Sequence, residues 1–209
     1  MTTQNPASKT VLIPAAREDL CLAFANTLSW RGSPMPSESL AAFADLFGWL
    51  AGAASLPAET VELAQHWSPT HRQQAAALFG EAIELREAIY RLFSALASAE
   101  AAPAPDLALL NRALPDAPPR HTVAQGRGGY AWETDGIEMS APALLAPVLW
   151  SAADLLTRAD RRRVRRCAND ACLWLFIDES KAGTRRWCDM SSCGNRAKSR
   201  RHYLKTKRG

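Results

Sequence analysis

The sequence predicts a mainly α protein: a helical N-terminal body with one β-hairpin, followed by a small C-terminal α+β module. Three observations carry this. Apolar residues recur at three- and four-residue spacing through most of the first 160 positions. One glycine-rich turn, Gly126-Arg127-Gly128-Gly129, separates two short alternating segments, HTVAQ and YAWET. Four cysteines, Cys167, Cys172, Cys188 and Cys193, then crowd the last quarter of the chain. A length of 209 residues with 47% apolar content accommodates a medium domain plus a small one, and the expected division is 1–160 and 161–209.

In chain order, residues 1–17 form a poorly patterned lead-in without the basic and apolar regions of a secretory signal, so a cytoplasmic location is expected. A helix is predicted from Glu18 through LCLAFANTLSW, with Leu20, Phe24 and Thr27 or Leu28 on one face. Gly32 to Pro36 breaks it, and Ser37 has the chemistry to cap the next helix, which carries Leu40, Phe43, Leu46, Phe47 and Leu50. Pro57 suits a first helical position, with Glu59 and Glu62 near the positive end of the dipole. Ser68-Pro69 opens the longest helix, Pro69 to Ala97, whose buried stripe is Leu78, Ile83, Leu85, Ile89, Leu92, Phe93 and Leu96. A short helix over Asp106–Leu114 follows, stopped by Pro115–Pro119. After the hairpin, Ser140 caps a last body helix through Leu144, Leu145, Leu149 and Leu156, with Pro147 marking a kink or a late start.

The cysteines form two Cys-x4-Cys pairs fifteen residues apart. Paired thiols at short, equal spacing suit a tetrahedral zinc ion, each pair turning back as a knuckle. With four thiolates no position is left for an activated water, so the ion is structural. LWLFIDES between the pairs has strand character, and KAGTRR supplies a turn. Ser191 or Ser192 is placed to cap a helix with Cys193 at its start, giving a treble-clef-like order. Leu173 stands where a knuckle often has glycine. So small a module buries little apolar area, and zinc must supply much of its folding free energy. The four thiolates carry a formal −2 around the ion, which Arg165, Arg166, Arg185, Arg186 and Arg196 can offset.

Charge is divided sharply. Residues 1–160 carry 10 Lys/Arg against 17 Asp/Glu; residues 161–209 carry 15 against 4. A basic block on an acidic body is the electrostatic footprint of nucleic-acid binding. On a helical wheel, Arg196, Arg200, Tyr203 and Lys207 share one sector, three cations for phosphates and one ring to stack on a base. Ala197 and Leu204 look inward; Lys198, His202 and Lys205 occupy a third face. DNA is the expected partner, RNA stays open, and a second reading makes the module a protein-interaction scaffold docked on an acidic surface. A single module reads few base pairs, so a homodimer is expected.

The run Phe176-x-Asp178-x-Ser180, Arg185-Arg186-Trp187-Cys188 and Cys193-Gly194-Asn195-Arg196-Ala197-Lys198-x-Arg200 resembles the CGNR zinc finger. Leu20 to Thr27 (LCLAFANT) is similar to the opening of the ABATE domain that typically precedes it. The resemblance implies a bacterial, zinc-binding, stress-induced regulator of transcription. Beside it, Gly194 lets the backbone pass close to sulfur, Asn195 bridges backbone groups or caps the cluster, and Asp178 pairs internally with Arg185, Arg186 or Arg196. Trp187 shields the metal.

The body offers no nucleophile–base constellation, P-loop or nucleophile elbow, and no enzyme is expected. Its histidines share no ligand spacing, and Cys21 reads as a small buried hydrophobe. Arg91 is expected to pair with Glu87 at i+4. Asn26 and Thr27, polar among Phe24, Leu28 and Trp30, need partners; with Arg86 they are candidates to line a small-molecule cavity, the alternative being that Asn26 bonds backbone or Arg86.

Overall fold

A computed structural model describes residues 10–53, 56–126, 129–158 and 163–207, excluding the side chains of Arg201, His202, Leu204 and Lys205. The expected domain boundary near Asp160, the tip of the glycine-rich turn, and the faces assigned to Leu204, His202 and Lys205 lie outside these. Among the described residues no helix is long and apolar enough to cross a membrane.

The core is built on helix α4, Arg72–Ala97, whose buried face carries Leu78, Leu85, Ile89, Leu92 and Phe93. Against it pack α1 (Leu20–Ala25), α2 (Phe43–Ala53), α3 (Ala58–Thr70) and α5 (Ala104–Ala113), together with α6 (Ala141–Leu144). The last helix of the body, α7 (Ala146–Thr157), packs on α1. The sequence expectations hold for most of these helices, with shifts at their ends. Pro69 closes α3 within its last turn, and the chain bends at His71 before α4 begins. Ser140 accepts a hydrogen bond from the Ala143 amide at 3.3 Å, and Pro147 sits in the first turn of α7, the late start its position implied.

Three expectations fail for one reason. The lead-in contains strand β1, Val11–Pro14, and the first helix stops at Ala25 because Leu28–Ser29 becomes strand β2. Ser37 is no cap; it lies in β3 (Ser37–Glu38), antiparallel to β2. All three short strands depend on partners that local pattern does not reveal. β1 pairs with β5 (Gly129–Thr134), which also pairs with β4 (Thr122–Gly126), giving an antiparallel order β1-β5-β4.

The C-terminal part contributes the hairpin β6 (Val164–Arg166) and β7 (Leu175–Ile177), a wide helical turn over Met190–Gly194, and α8 (Asn195–Thr206). Val164 and Leu175 are buried in the same core as the body helices, where β6 and β7 meet α4 and β7 meets α1. This changes the energetics expected for a small separate module: its hairpin borrows apolar burial from the body.

Candidate metal centre

The first cysteine pair is presented by the β6–β7 hairpin. The Cys167 amide donates to Trp174 O at 2.8 Å, closing the hairpin end, and the amides of Cys172 and Leu173 both donate to Asn169 O. Leu173 sits at φ 58°, the left-handed conformation usually left to glycine, so leucine is tolerated there under strain. The second pair comes from the loop after β7. Asp178 is fully buried and organises that loop: one oxygen accepts from the Ser180 hydroxyl and amide, the other from the Arg185 amide. The hydrogen bond from Ser180, helped by those from backbone, holds its carboxyl below the ordinary range. Its partners are thus mainly backbone amides and a hydroxyl, not the guanidinium groups expected.

Asp189, not Ser191 or Ser192, caps the turn containing Cys193, accepting from the Ser191 amide at 2.9 Å. A carboxylate does this at least as well as a hydroxyl and also favours the helix dipole.

All four sulfurs lie within 4.8 Å of one another, with Cys172 Sγ and Cys188 Sγ 3.7 Å apart. Tetrahedral zinc with Zn–S bonds near 2.3 Å requires sulfur separations of about 3.8 Å, so the geometry fits the ion and rules out disulfides, which need about 2.05 Å. Hydrogen bonds from the Cys172 and Cys188 thiols drive Cys167 toward thiolate, while the same bonds push Cys172 upward and Cys188 further. The set cannot ionise together without a cation at its centre. Zn2+ held by Cys167, Cys172, Cys188 and Cys193 supplies that charge.

Around the ligands, Asn169 Nδ2 donates to Cys193 Sγ at 3.4 Å while its Oδ1 accepts from the Ala171 amide. The side-chain amide on a ligand sulfur is thus that of Asn169, while Asn195 donates to Ser191 O. Arg185 donates to the carbonyls of Trp187 and Cys188 and lies 4.7 Å from the Phe176 ring centroid. Trp187 packs against the cysteine cluster as expected, joined by Trp30 from the body. Gly194 serves a different close approach from the one expected: an added Cβ would stand 2.8 Å from Met190 Sδ.

The body reaches this centre through four contacts, of which the sequence reading included one, a bond from Asn26 to backbone. Asn26 acts as a strand edge, its Nδ2 donating to Leu175 O at 2.8 Å and its Oδ1 accepting from Leu175 N at 3.0 Å. Tyr90 Oη donates to Leu173 O. Gly32 lies so close to the knuckle that a Cβ would fall 1.7 Å from Asp170 O. Trp30, itself at φ 56°, carries Arg196 with its guanidinium carbon 4.4 Å from the ring centroid. The aromatic and glycine following the Asn-Thr pair, Trp30 and Gly32, were the available signal.

Asn26, Thr27 and Arg86 do not together line a cavity. Thr27 donates to Phe24 O and accepts from Arg86, and Arg86 forms a fork with Glu38 at 2.7 and 2.8 Å and also binds Glu87. A groove of about 580 Å³ is bordered by Asn26 and Thr27 but not by Arg86. Fully engaged polar groups explain these residues without a ligand. Glu87 binds Arg31 and Arg86, leaving Arg91 to pair with Asp106 instead. Cys21 is fully buried, and that burial pushes its thiol up to about 12.

On α8, Arg196 and Arg200 are exposed, Tyr203 is 62% exposed, and Lys207 Nζ lies 5.9 Å from the Tyr203 ring. All four are thus open to solvent, Arg196 and Arg200 beside the cysteine cluster and Tyr203 with Lys207 further along the helix.

A family model, ABATE, described as "Putative stress-induced transcription regulator", matches residues 18–159, and a CGNR zinc finger model matches residues 163–206. No curated protein matches the chain.

Proposed function

The chain belongs to the ABATE family and carries a CGNR zinc finger, and from that footing we propose that it regulates transcription by contacting DNA through the cationic surface of α8. The observation that carries the reading is how the arginines are employed. Arg31, Arg86, Arg91 and Arg120 of the body are each committed to a carboxylate at 2.6–2.7 Å. Arg186, Arg196 and Arg200 have no carboxylate within ion-pair distance among the described residues. Unneutralised guanidinium groups on one rigid surface are what phosphate contacts require. Zinc holds that surface and does no chemistry; the protein acts as a binding module and not as an enzyme.

The test is fluorescence anisotropy with duplex DNA across a salt series. Affinity falls steeply with salt, and replacing Arg196 and Arg200 by glutamine lowers the slope of log K against log salt by about two. Zinc content must be unchanged in the variant. Salt-independent affinity, or retention of full affinity by the double variant, would rule out this surface.

A further inference from the structure

We propose that the cavity beside the cysteine cluster is a pocket for one unpaired nucleoside phosphate, with the base on Trp187 and the phosphate on Arg196 and Arg200. It is about 640 Å³ and is walled by the knuckle at Asp170 and Ala171, by Arg186 and Trp187, and by Arg196 and Arg200 of α8. That size is in the range of small-molecule pockets and fits one nucleotide. Where the nucleotide comes from rests on the reading of α8 as a DNA-contacting surface; the chemistry of the pocket does not.

Three features select this ligand. First, the pocket is concave and has an indole in its wall. A duplex keeps its bases stacked inside, so an indole in a recess meets a base only when that base has left the stack. Arg186 lies with its guanidinium carbon 5.3 Å from the Trp187 ring centroid, so an incoming base takes the place of that guanidinium on the indole or stacks on it in turn. Second, one of the cations is held. Arg196 rests on Trp30 with its guanidinium carbon 4.4 Å from the ring centroid, and it has no carboxylate partner among the described residues. Third, three guanidinium groups face one carboxylate, Asp170. That balance leaves an excess of positive charge inside the recess, which matches one phosphate group on a neutral heterocycle.

The experiment uses the full zinc-loaded chain and three labelled or competing probes: a perfect duplex, the same duplex with one unpaired nucleotide, and a deoxynucleoside monophosphate. Ala171→Phe and Ala197→Phe fill the pocket from two sides without removing a cation, and Arg186→Gln leaves the knuckle unaltered. Only variants holding one zinc are scored, so failure of one still leaves the others. Wild type should bind the interrupted duplex about tenfold tighter than the perfect one, the scale of one stacked base. Filling should abolish that preference and spare perfect-duplex affinity. Saturable binding of the monophosphate, lost on filling, without any preference among the duplexes would assign the pocket to a free nucleotide. The same result with no duplex binding would overturn the DNA reading and keep the pocket. Filled variants that bind every probe like wild type would overturn the pocket. So would a wild type that neither prefers the interrupted duplex nor binds the monophosphate, and DNA binding by α8 would survive either result.

Discussion

Asn26 shows how a single side chain joins two parts of the chain. Its side-chain amide donates to Leu175 O at 2.8 Å and accepts from Leu175 N at 3.0 Å, as a neighbouring strand would. Asn26→Asp keeps the shape and the acceptor but turns a carboxylate oxygen toward Leu175 O, leaving a half-buried carbonyl without its donor. The expected loss is about 1–3 kcal/mol, or a fall in Tm of several degrees for a chain of this size. Thermal unfolding of the zinc-loaded variant checks this; a Tm within a degree of wild type would show that water replaces the amide. Gly32→Ala is the steric counterpart. Its methyl would meet Asp170 O at 1.7 Å, and backbone cannot yield as a side-chain tip does. The loop must lift from the knuckle, at a cost of about 1–3 kcal/mol typical of overpacking, again read as a lowered Tm. The sequence marks Asn26 as a polar side chain in need of a partner but does not identify that partner, and Gly32 before a Ser-Pro reads as a chain breaker.

Between elements, the β2–β3 hairpin is tied to α4 by an ionic network in which Arg31 binds Glu87, and Arg86 binds both Glu87 and Glu38. Arg31 also lies 3.8 Å over the Tyr90 ring, whose hydroxyl binds Leu173 O. Partial burial would raise both glutamates, but the Arg86 hydrogen bond for Glu38 and the Arg31 bond and charge for Glu87 outweigh it, and both lie below their ordinary value. A lowered folded pKa means that the stabilisation is present above the unfolded value, about 4.3, and is lost as pH falls through the folded one. The Tm gap between wild type and Glu87→Gln should therefore be largest near pH 7 and shrink below pH 4. Zinc release in acid affects both proteins and drops out of the comparison; a gap constant with pH would mean that Glu87 acts through packing alone. The contrast with legibility in the sequence is physical. Long helices such as α4, the β4–β5 hairpin and the four sulfur ligands follow from periodicity, turn chemistry and spacing, all local. Strands β1, β2 and β3 and the pairing of Arg91 with Asp106 depend on partners elsewhere in the fold, and no local pattern encodes them. Asp189 was missed at the cap because serine and aspartate compete for that role in neighbouring positions.

At the scale of the whole molecule, the question is whether the zinc-bound part unfolds alone. The cysteine spacing and the scarcity of apolar residues after Asp160 suggest a module held together by its ion. The packing says otherwise: Val164 and Leu175 are 1% and 2% exposed within the body core, and Asn26, Gly32, Trp30 and Tyr90 hold the knuckle from outside. Losing the ion should then withdraw β6 and β7 from the face of α4 and expose part of the body's own core. Zinc binding and body stability are linked, with a contribution of RT ln(1 + [Zn]/Kd), about 4 kcal/mol at a thousandfold excess over Kd. Differential scanning calorimetry of the zinc-loaded chain should show one transition, and chelation should lower it by about 10 °C, given roughly 2–4 °C per kcal/mol at this length. Two transitions, with the larger one unmoved by chelator, would establish independent units and deprive the contacts of Asn26, Gly32, Trp30 and Tyr90 with the knuckle of energetic weight. A single shared transition has a consequence for regulation. Anything that alters the Asn26–Leu175 contact or the Trp30–Arg196 stack would reach the exposed face of α8 through the same packing.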